Sequence, residues 1–568
     1  MPAASPPRPA QPQRSLWRFH GGLDLPGKKE QSTRTAVRPA SLPRRLILPL
    51  QQHIGAAPEL LVRPGDQVLK GQMIARPAGY VSAALHAPTS GRVLEVADHP
   101  VAHPSGLPAR CIVIDADGRD RWADLPEPME DFEDRDPAVL RERIRWAGLV
   151  GLGGAAFPSA VKLNPGPDQP VRTLILNGAE CEPYISCDDM LMRERAARVV
   201  EGLRVLRRVV DAEECLIGVE DDKPEAVQAL REAIAEANLG QAEVVVIPGL
   251  YPSGGEKQLI RVLTGLEVPS HGIPAQVGIV CHNVGTAVAA ADAVLRGRPL
   301  ISRLVTLTGE GMAQPQNREV LIGTPADQLI AECGGYTEQV ARLIVGGPMM
   351  GFAVHTDEVP VTKATNCLLA ASEAESPDPG PALPCIRCGE CARVCPVTLL
   401  PQQLYWYARA KDFDRTQDYA LFDCIECGCC AHVCPSHIPL VQYYRFAKTR
   451  IWAQEEERRK AEHARRRHEA RLARLERLER ERKARLRKRK EDLGRKTGRP
   501  GDSESDRKRA AIDAAMRRVA EKKAAAGARP QNVENLTEEQ RRRIEEVDAR
   551  RRKAAKGTAG SKPEQKEG

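Results

Sequence analysis

The sequence predicts a multidomain chain of mixed α/β and β architecture with a charged helical tail, and three observations carry that prediction. Its 568 residues exceed one ordinary domain. Between 135 and 300, short β-type runs alternate with amphipathic helical stretches, the pattern of a layered α/β domain. Nine of the sixteen cysteines fall between 385 and 434, where two runs repeat the same spacing. Charge is partitioned along the chain. Residues 451–568 hold 38 Lys+Arg against 23 Asp+Glu, or +15, which leaves 46 against 53, or −7, for residues 1–450.

Residues 1–40 form an N-terminal extension whose start, MPAASPPRPAQPQRSLWRF, is rich in Pro and lacks the apolar core of a secretory signal. No run in the chain approaches the roughly 18 apolar residues of a spanning helix. The expected compartment is the cytoplasm, which is reducing, so the cysteines are not read as disulfides. Residues 41–125 read as a β-rich domain, because LLVRPGDQVLKGQMIA and HAPTSGRVLEV are short apolar runs punctuated by turn residues. These halves resemble the barrel-sandwich domains of lipoyl and biotinyl carriers. No Lys lies between Gly71 and Gly91 to be modified, so carrier chemistry is absent and a docking or structural role is expected.

In residues 135–300 the expected strands are TLILN, CLIGV, EVVVI and VGIVC, with MLMRERAARVVEGLRVLRRVV and PEAVQALREAIAEA as helices between them. In open sheets of this kind ligands bind beyond the carboxyl ends of the strands. Residues 301–372 begin with two strands, a turn and a short helix, similar to the soluble-ligand-binding β-grasp module found beside flavin domains. The Pro-rich ESPDPGPALP then leads into the cysteine-rich segment, 373–450. The tail, 451–568, has one aromatic and no Cys, and reads as a solvated charged helix grading into disorder with a thin line of Leu472, Leu475 and Leu478. No aromatic residues interleave its charges, so no nucleic-acid partner is expected.

The strongest motif is CxxCxxCxxxCP, present as Cys385, Cys388, Cys391, Cys395 and as Cys424, Cys427, Cys430, Cys434, each followed by Pro. This is the two-cluster ferredoxin run, in which three thiolates of one loop and the last Cys of the other run hold each cluster. One [4Fe-4S] cluster is expected on Cys385, Cys388, Cys391 and Cys434, the other on Cys424, Cys427, Cys430 and Cys395. Structural zinc fits less well, since zinc sites use paired knuckles rather than triple runs. Cys429 lies beside Cys430; spacing favours Cys430 as the ligand, with exchange left open. The remaining seven cysteines have no ligand spacing.

GLVGLGGAAFPSAVK formally satisfies GxGxxG/A, but a standard dinucleotide turn needs a strand before it, and LRERIRWAGLV is helix-like. Its glycines still let backbone N–H groups approach an anion, so a phosphate-bearing cofactor is expected there. Three further loops begin at strand ends: Asn177 to Tyr184, YPSGGEKQL and CHNVGT. Together GxGGAxFPxxxK, NxxExE, GEK and HNVxT resemble the flavin- and NADH-binding domain of the flavoprotein subunit of respiratory NADH:quinone oxidoreductase. With the barrel-sandwich N-terminus containing FHGGLDLPGKKEQS and the ferredoxin pair, the chain from about 15 to 450 resembles the C subunits of the Rnf/Rsx ion-translocating electron-transport complexes.

The resemblance implies that Gly151, Gly153, Gly154, Ala155 and Phe157 line flavin and nicotinamide, with Lys162 near the phosphate. Asn177, Glu180, Gly255, Glu256, Asn283 and Thr286 would complete an FMN pocket, and Glu182 would face NADH. Leu152 stands where the respiratory subunit has Arg, and Lys257 where it has a second Glu. Because nicotinamide moves two electrons and each cluster one, a converter is required between them, and a flavin can supply it. The implied function is hydride exchange with NAD(H) through FMN and single-electron relay through two clusters, with no protein acid–base pair, in a complex coupled to ion transport. Its implied partners are the other membrane subunits, a ferredoxin-like electron carrier subunit and NAD(H), and its implied place is peripheral, on the cytoplasmic side of the cell inner membrane. A soluble cobalamin reductase of the same modules, or a flavin-free iron–sulfur adaptor, are the alternatives.

Overall fold

Four parallel strands organise the centre of the chain: β1 (Thr173–Gly178), β2 (Glu214–Glu220), β3 (Ala242–Ile247) and β4 (Ile279–Asn283), in the order β3-β2-β1-β4. The computed structural model describes residues 14–166, 169–378, 380–497, 503–525, 537–538 and 541–548. Strand residues alternate between two apolar layers. Leu174, Leu176, Ile217 and Val219 face helices α2 (Ala196–Val210) and α5 (Val284–Leu295), whereas Ile175, Leu216, Val245 and Ile247 face α4 (Glu256–Thr264). Near-continuous burial of each strand follows from this two-sided covering. Gly202 on α2 lies against the backbone of Ala287 on α5, and no Cβ fits between them.

The long helix expected from Met190 to Val210 is two helices, α1 (Cys187–Glu194) and α2, with α3 (Pro224–Glu236) following β2. Amphipathic period alone does not register the break, because its cause is distant in sequence. Arg195 leaves helical geometry at φ −133° and its guanidinium pairs with Glu319 at 2.8 Å, while Glu194 accepts the N–H of Val37 at 3.0 Å.

On the N-terminal side, strands Arg45–Pro49, Ala109–Ala116, Gly91–His99 and Gln67–Val68 make one sheet, and Glu59–Leu60, Met73–Arg76 and Leu85–His86 a second. Leu48, Val68, Ile74, Leu85, Val93, Ile112 and Ile114 fill the space within this sandwich. On the other side, the two expected strands, Ser302–Thr308 and Gln316–Leu321, and the helix Ala326–Glu332 are joined by Val340–Val345, Phe352–Val354 and Cys367–Ser372 and by the short Arg38–Pro39, giving six strands. The cysteine-rich segment folds as short helices on a core of Leu404, Tyr405, Leu421, Tyr444 and Ile451. The fold is therefore the expected combination of α/β, sandwich, β-grasp and cysteine-cluster layers.

The chain divides into two units, one ending at Glu456 and the other beginning at Glu457. The helix Leu440–Thr497 starts in the first; the second continues it and adds Ser503–Ala525. In the second unit Leu472, Leu475 and Leu478 are about half exposed, and the helix surface carries i,i+4 pairs such as Glu462–Arg466 and Glu479–Lys483. Much of the segment expected to be disordered lies outside the described residues. Among those residues no helix is long and apolar enough to cross a membrane.

Sandwich, α/β and β-grasp layers meet at Lys363. Its ammonium is fully buried and donates to the carbonyls of Ala84 and Gly148, each at 2.7 Å, with no carboxylate partner among the described residues. Burial pulls Lys363 down to about 7, and burial with the Lys363 charge holds His86 at about 3. The folded state thus binds this proton less readily than the unfolded chain, so stability rises with pH from about 7 toward the unfolded lysine value. Lys363→Met is expected to flatten that rise in thermal unfolding followed between pH 7 and 9. It also leaves two carbonyls unpaired and lowers stability by about 1–3 kcal/mol; an unchanged slope would contradict the assignment.

Candidate functional site

The strand order reverses between β1 and β4, and the crevice beyond their carboxyl ends is where open α/β sheets receive ligands. Asn177 and Asn283 lie at the carboxyl ends of these two strands and stand opposite each other in register. Asn283 caps α5: its Oδ1 accepts the N–H groups of Gly285 at 2.8 Å and Thr286 at 3.4 Å, and its Nδ2 donates to Asp188 at 2.5 Å. Asn177 donates from Nδ2 to the carbonyl of Gly254 at 2.8 Å and accepts the N–H of Ala179.

The glycine loop lies over this crevice, but it precedes β1 and follows the helix Pro137–Trp146, so it is not the turn of a standard dinucleotide fold. Its neck is closed by Gly151 N–H donating to Phe157 O at 2.8 Å, and its back by Leu152 N–H donating to the Thr286 hydroxyl at 2.9 Å. Gly153, Gly154 and Ala155 are exposed and Phe157 is half-buried. A Cβ on Gly153 would stand 3.4 Å from Asn283, whereas Gly154, at φ +102°, opens on free space. The outer edge of the loop is bare backbone, which fits a phosphate-bearing cofactor. Lys162 and Glu256 form an ion pair nearby, with Gly255 as the residue before α4. Burial with the Lys162 charge holds His282 well below its ordinary value, and its Nε2 is a buried atom without a partner.

The two glutamates of NxxExE each take backbone N–H groups of a neighbouring segment. Glu180 accepts the N–H groups of Asp188 at 2.7 Å and Asp189 at 3.0 Å, at the start of α1. Glu182 accepts the N–H groups of Met349 at 2.7 Å and Met350 at 3.0 Å in the β-grasp layer. It lies so close to Gly347 that a side chain there would overlap it. Both carboxyls are raised by burial. Burial and the Glu180 carboxylate push Asp188 up to about 7. Glu180, Cys187 and Asp188 place their ligand-type atoms within 4.8 Å of one another, and are the one such group among the described residues.

Cys424, Cys427 and Cys430 line one small cavity with Cys395, the fourth cysteine of the other run. Leu399, Leu404, Val441 and Tyr444 form apolar walls, and Cys429 also reaches the lining. Cys391 has Cys385, Cys388 and Cys434 as charge neighbours. Both cross-run groupings expected from the spacing are thus brought together.

Sequence reasoning missed Tyr251. Its hydroxyl, buried, donates to the carbonyl of Cys427 at 2.7 Å across 176 residues, a contact with no local signal. In the same loop Ser253 donates to Glu220 at 2.5 Å, Glu220 pairs with the fully buried Lys223 at 2.9 Å, and Gly254 N–H approaches Cys181 Sγ at 3.3 Å.

Comparison with known proteins agrees with this layout. Residues 144–292 match the family model of the Nuo51 FMN-binding domain, 17–119 the RnfC barrel sandwich hybrid domain, 304–353 the SLBB domain and 384–438 the 4Fe-4S dicluster domain. Fold and matches together define a protein that joins an FMN-binding domain to an iron–sulfur domain. Proteins named as the C subunit of an ion-translocating oxidoreductase complex are similar to this chain. That of Pseudomonas aeruginosa is 53% identical over 460 residues, covering 81% of this chain and 59% of its own length. That of Klebsiella pneumoniae is 45% identical over 552 residues, covering 96% and 71%. The chain belongs to the family of ion-translocating oxidoreductase complex C subunits. It spans 59% of the Pseudomonas relative and 65% of one from Vibrio cholerae. A crystal structure of an NAD+-reducing [NiFe]-hydrogenase in the H2-reduced state aligns with TM-score 0.41 and 20% identity over 58% of this chain and 63% of that one.

Replacing Asn283 by Ala removes the α5 cap and the Asp188 partner together. The urea midpoint is expected to fall by an amount equivalent to about 1–2 kcal/mol; no loss would show that the cap contributes nothing.

Proposed function

We propose that this chain is the peripheral subunit through which a membrane electron-transport complex exchanges hydride with NAD(H) at an FMN site and relays single electrons through two [4Fe-4S] clusters, with ion translocation coupled in the whole complex. One observation carries the reading. The loop between β3 and α4 touches the crevice through Gly254 and Asn177, and the cysteine cavity through Tyr251 and Cys427. FMN, when bound, supplies the conversion between paired and single electrons.

The chain's own residues position and insulate. The Gly151–Phe157 backbone and Lys162 hold the anionic end of the cofactor, and Asn177, Gly255, Glu256, Asn283 and Thr286 line its pocket. Glu180 and Glu182 act behind it, fixing the start of α1 and the Met349–Met350 turn. Cys395, Cys424, Cys427 and Cys430 hold the cluster nearer the crevice, and Cys385, Cys388, Cys391 and Cys434 the other. Leu399, Leu404 and Val441 keep water from the nearer one. No acid–base residue is assigned to the hydride step. Partners are the membrane subunits and a ferredoxin-like electron carrier, at the cytoplasmic face of the inner membrane.

Full-length chain prepared without oxygen is expected to contain flavin and about eight irons, and NADH should bleach its yellow colour and then reduce the clusters. Cys395→Ser should lose about half the iron while Cys429→Ser keeps it. Flavin-free protein whose clusters ignore NADH would overturn the reading.

A further inference from the structure

The sequence singles out FHGGLDLPGKKEQS without giving it a task, and no part of the proposed chemistry uses it. In the structure this segment crosses from the cysteine-rich layer to the crevice loops and on to the β-grasp sheet. His20 Nδ1 lies 3.0 Å from the carbonyl of Cys395. A carbonyl only accepts, so Nδ1 is the protonated nitrogen and the imidazole donates. Gly21, at φ +66°, packs on the Val394 backbone with no space for a side chain, and Gly22 N–H donates to Val394 O at 3.0 Å. Leu23 and Tyr251 exchange two backbone hydrogen bonds of 2.8 and 2.9 Å, so the same segment backs the residue that reaches Cys427. Lys29 then turns its ammonium onto three carbonyls, Glu180 at 2.7 Å, Glu182 at 3.1 Å and Ile185 at 2.5 Å. Ser32 closes the segment, its hydroxyl 2.6 Å from that of Ser186 and its carbonyl accepting from Asn317 at 3.0 Å.

We infer that residues 19–32 are a positioning strap for electron transfer, in which His20 tunes the cluster held in part by Cys395 and Lys29 fixes the crevice loop against it. Two features point to function beyond packing. The His20 donor meets the main chain of one expected cluster ligand, while Tyr251, which the strap backs, meets that of another. Lys29 satisfies three carbonyls of one loop, so a neutral replacement removes three of the bonds that hold that loop. A donor directed at a ligand's carbonyl draws negative charge from the cluster side and eases its reduction; removing it makes that cluster harder to reduce.

The inference rests on the flavin-to-cluster reading, and the test separates the two. Full-length chain, prepared without oxygen with its clusters and flavin, is titrated by electron paramagnetic resonance, the nearer cluster being identified by the signal lost in Cys424→Ser. His20→Phe is expected to raise the oxidised-to-reduced ratio of that cluster at fixed potential by about two- to tenfold, the worth of one hydrogen bond, and to leave the other cluster unmoved. His20→Asn, which returns an N–H at nearly the Nδ1 position, should restore it. Lys29→Met should slow cluster reduction after flavin bleaching at least tenfold, with NADH bleaching of the flavin changed less than threefold. Unchanged potentials and rates in these variants would overturn the strap. A wild-type chain without flavin or NADH-reducible clusters would overturn the reading beneath it.

Discussion

The hydrogen bond from the Tyr251 hydroxyl to the Cys427 carbonyl fixes the rest of the arrangement, because it joins the loop beyond a parallel sheet to the wall of a cysteine cavity. Both partners are buried, so either left alone would carry the cost of an unsatisfied polar group. The loop is further tied to the ends of its neighbouring strands: Asn177 of β1 holds Gly254, and Glu220 of β2 holds Ser253. The loop is thus bonded on one side to the strand ends and on the other to the cysteine layer.

Lysines play a matching part at the seams, Lys223 and Lys363 fully buried and Lys29 half-buried. Lys29 and Lys363 both satisfy backbone carbonyls, and Lys223 sits between Glu220 and Asp222 beneath the Ser253 loop. An ammonium with three donors can bind carbonyls from separate segments, which neither an apolar side chain nor a carboxylate can do. Lys363 joins the sandwich to the α/β layer in this way, and Lys29 gathers the turn that follows β1. The carboxyls of Glu180 and Glu182 complete the same scheme from the acceptor side, each taking two N–H groups.

Local pattern made the strands and the cysteine groupings legible. Thr173–Asn177 and the other central runs announce themselves by apolar continuity, and repeated spacing alone brings Cys395 to Cys424, Cys427 and Cys430. The helix-like segment before the glycine loop correctly argued against a standard dinucleotide turn, since Pro137–Trp146 is a helix. What pattern does not carry is contact across long separations. The break at Arg195 depends on Glu319, the orientation of Glu182 on Met349 and Met350, and the contact of His20 on a carbonyl 375 residues away. Strand Phe352–Val354 has three residues, too few for a period to show.

One loop holds the proposed flavin crevice and cluster cavity together. Anomalous scattering at the iron edge from crystals of full-length chain grown without oxygen tests this most directly. Two compact iron peaks are expected, one inside the cavity of Cys395, Cys424, Cys427 and Cys430 beneath Tyr251, with flavin density before Gly153 and Gly154. Scattering at the zinc edge alone, or iron placed away from that cavity, would contradict it.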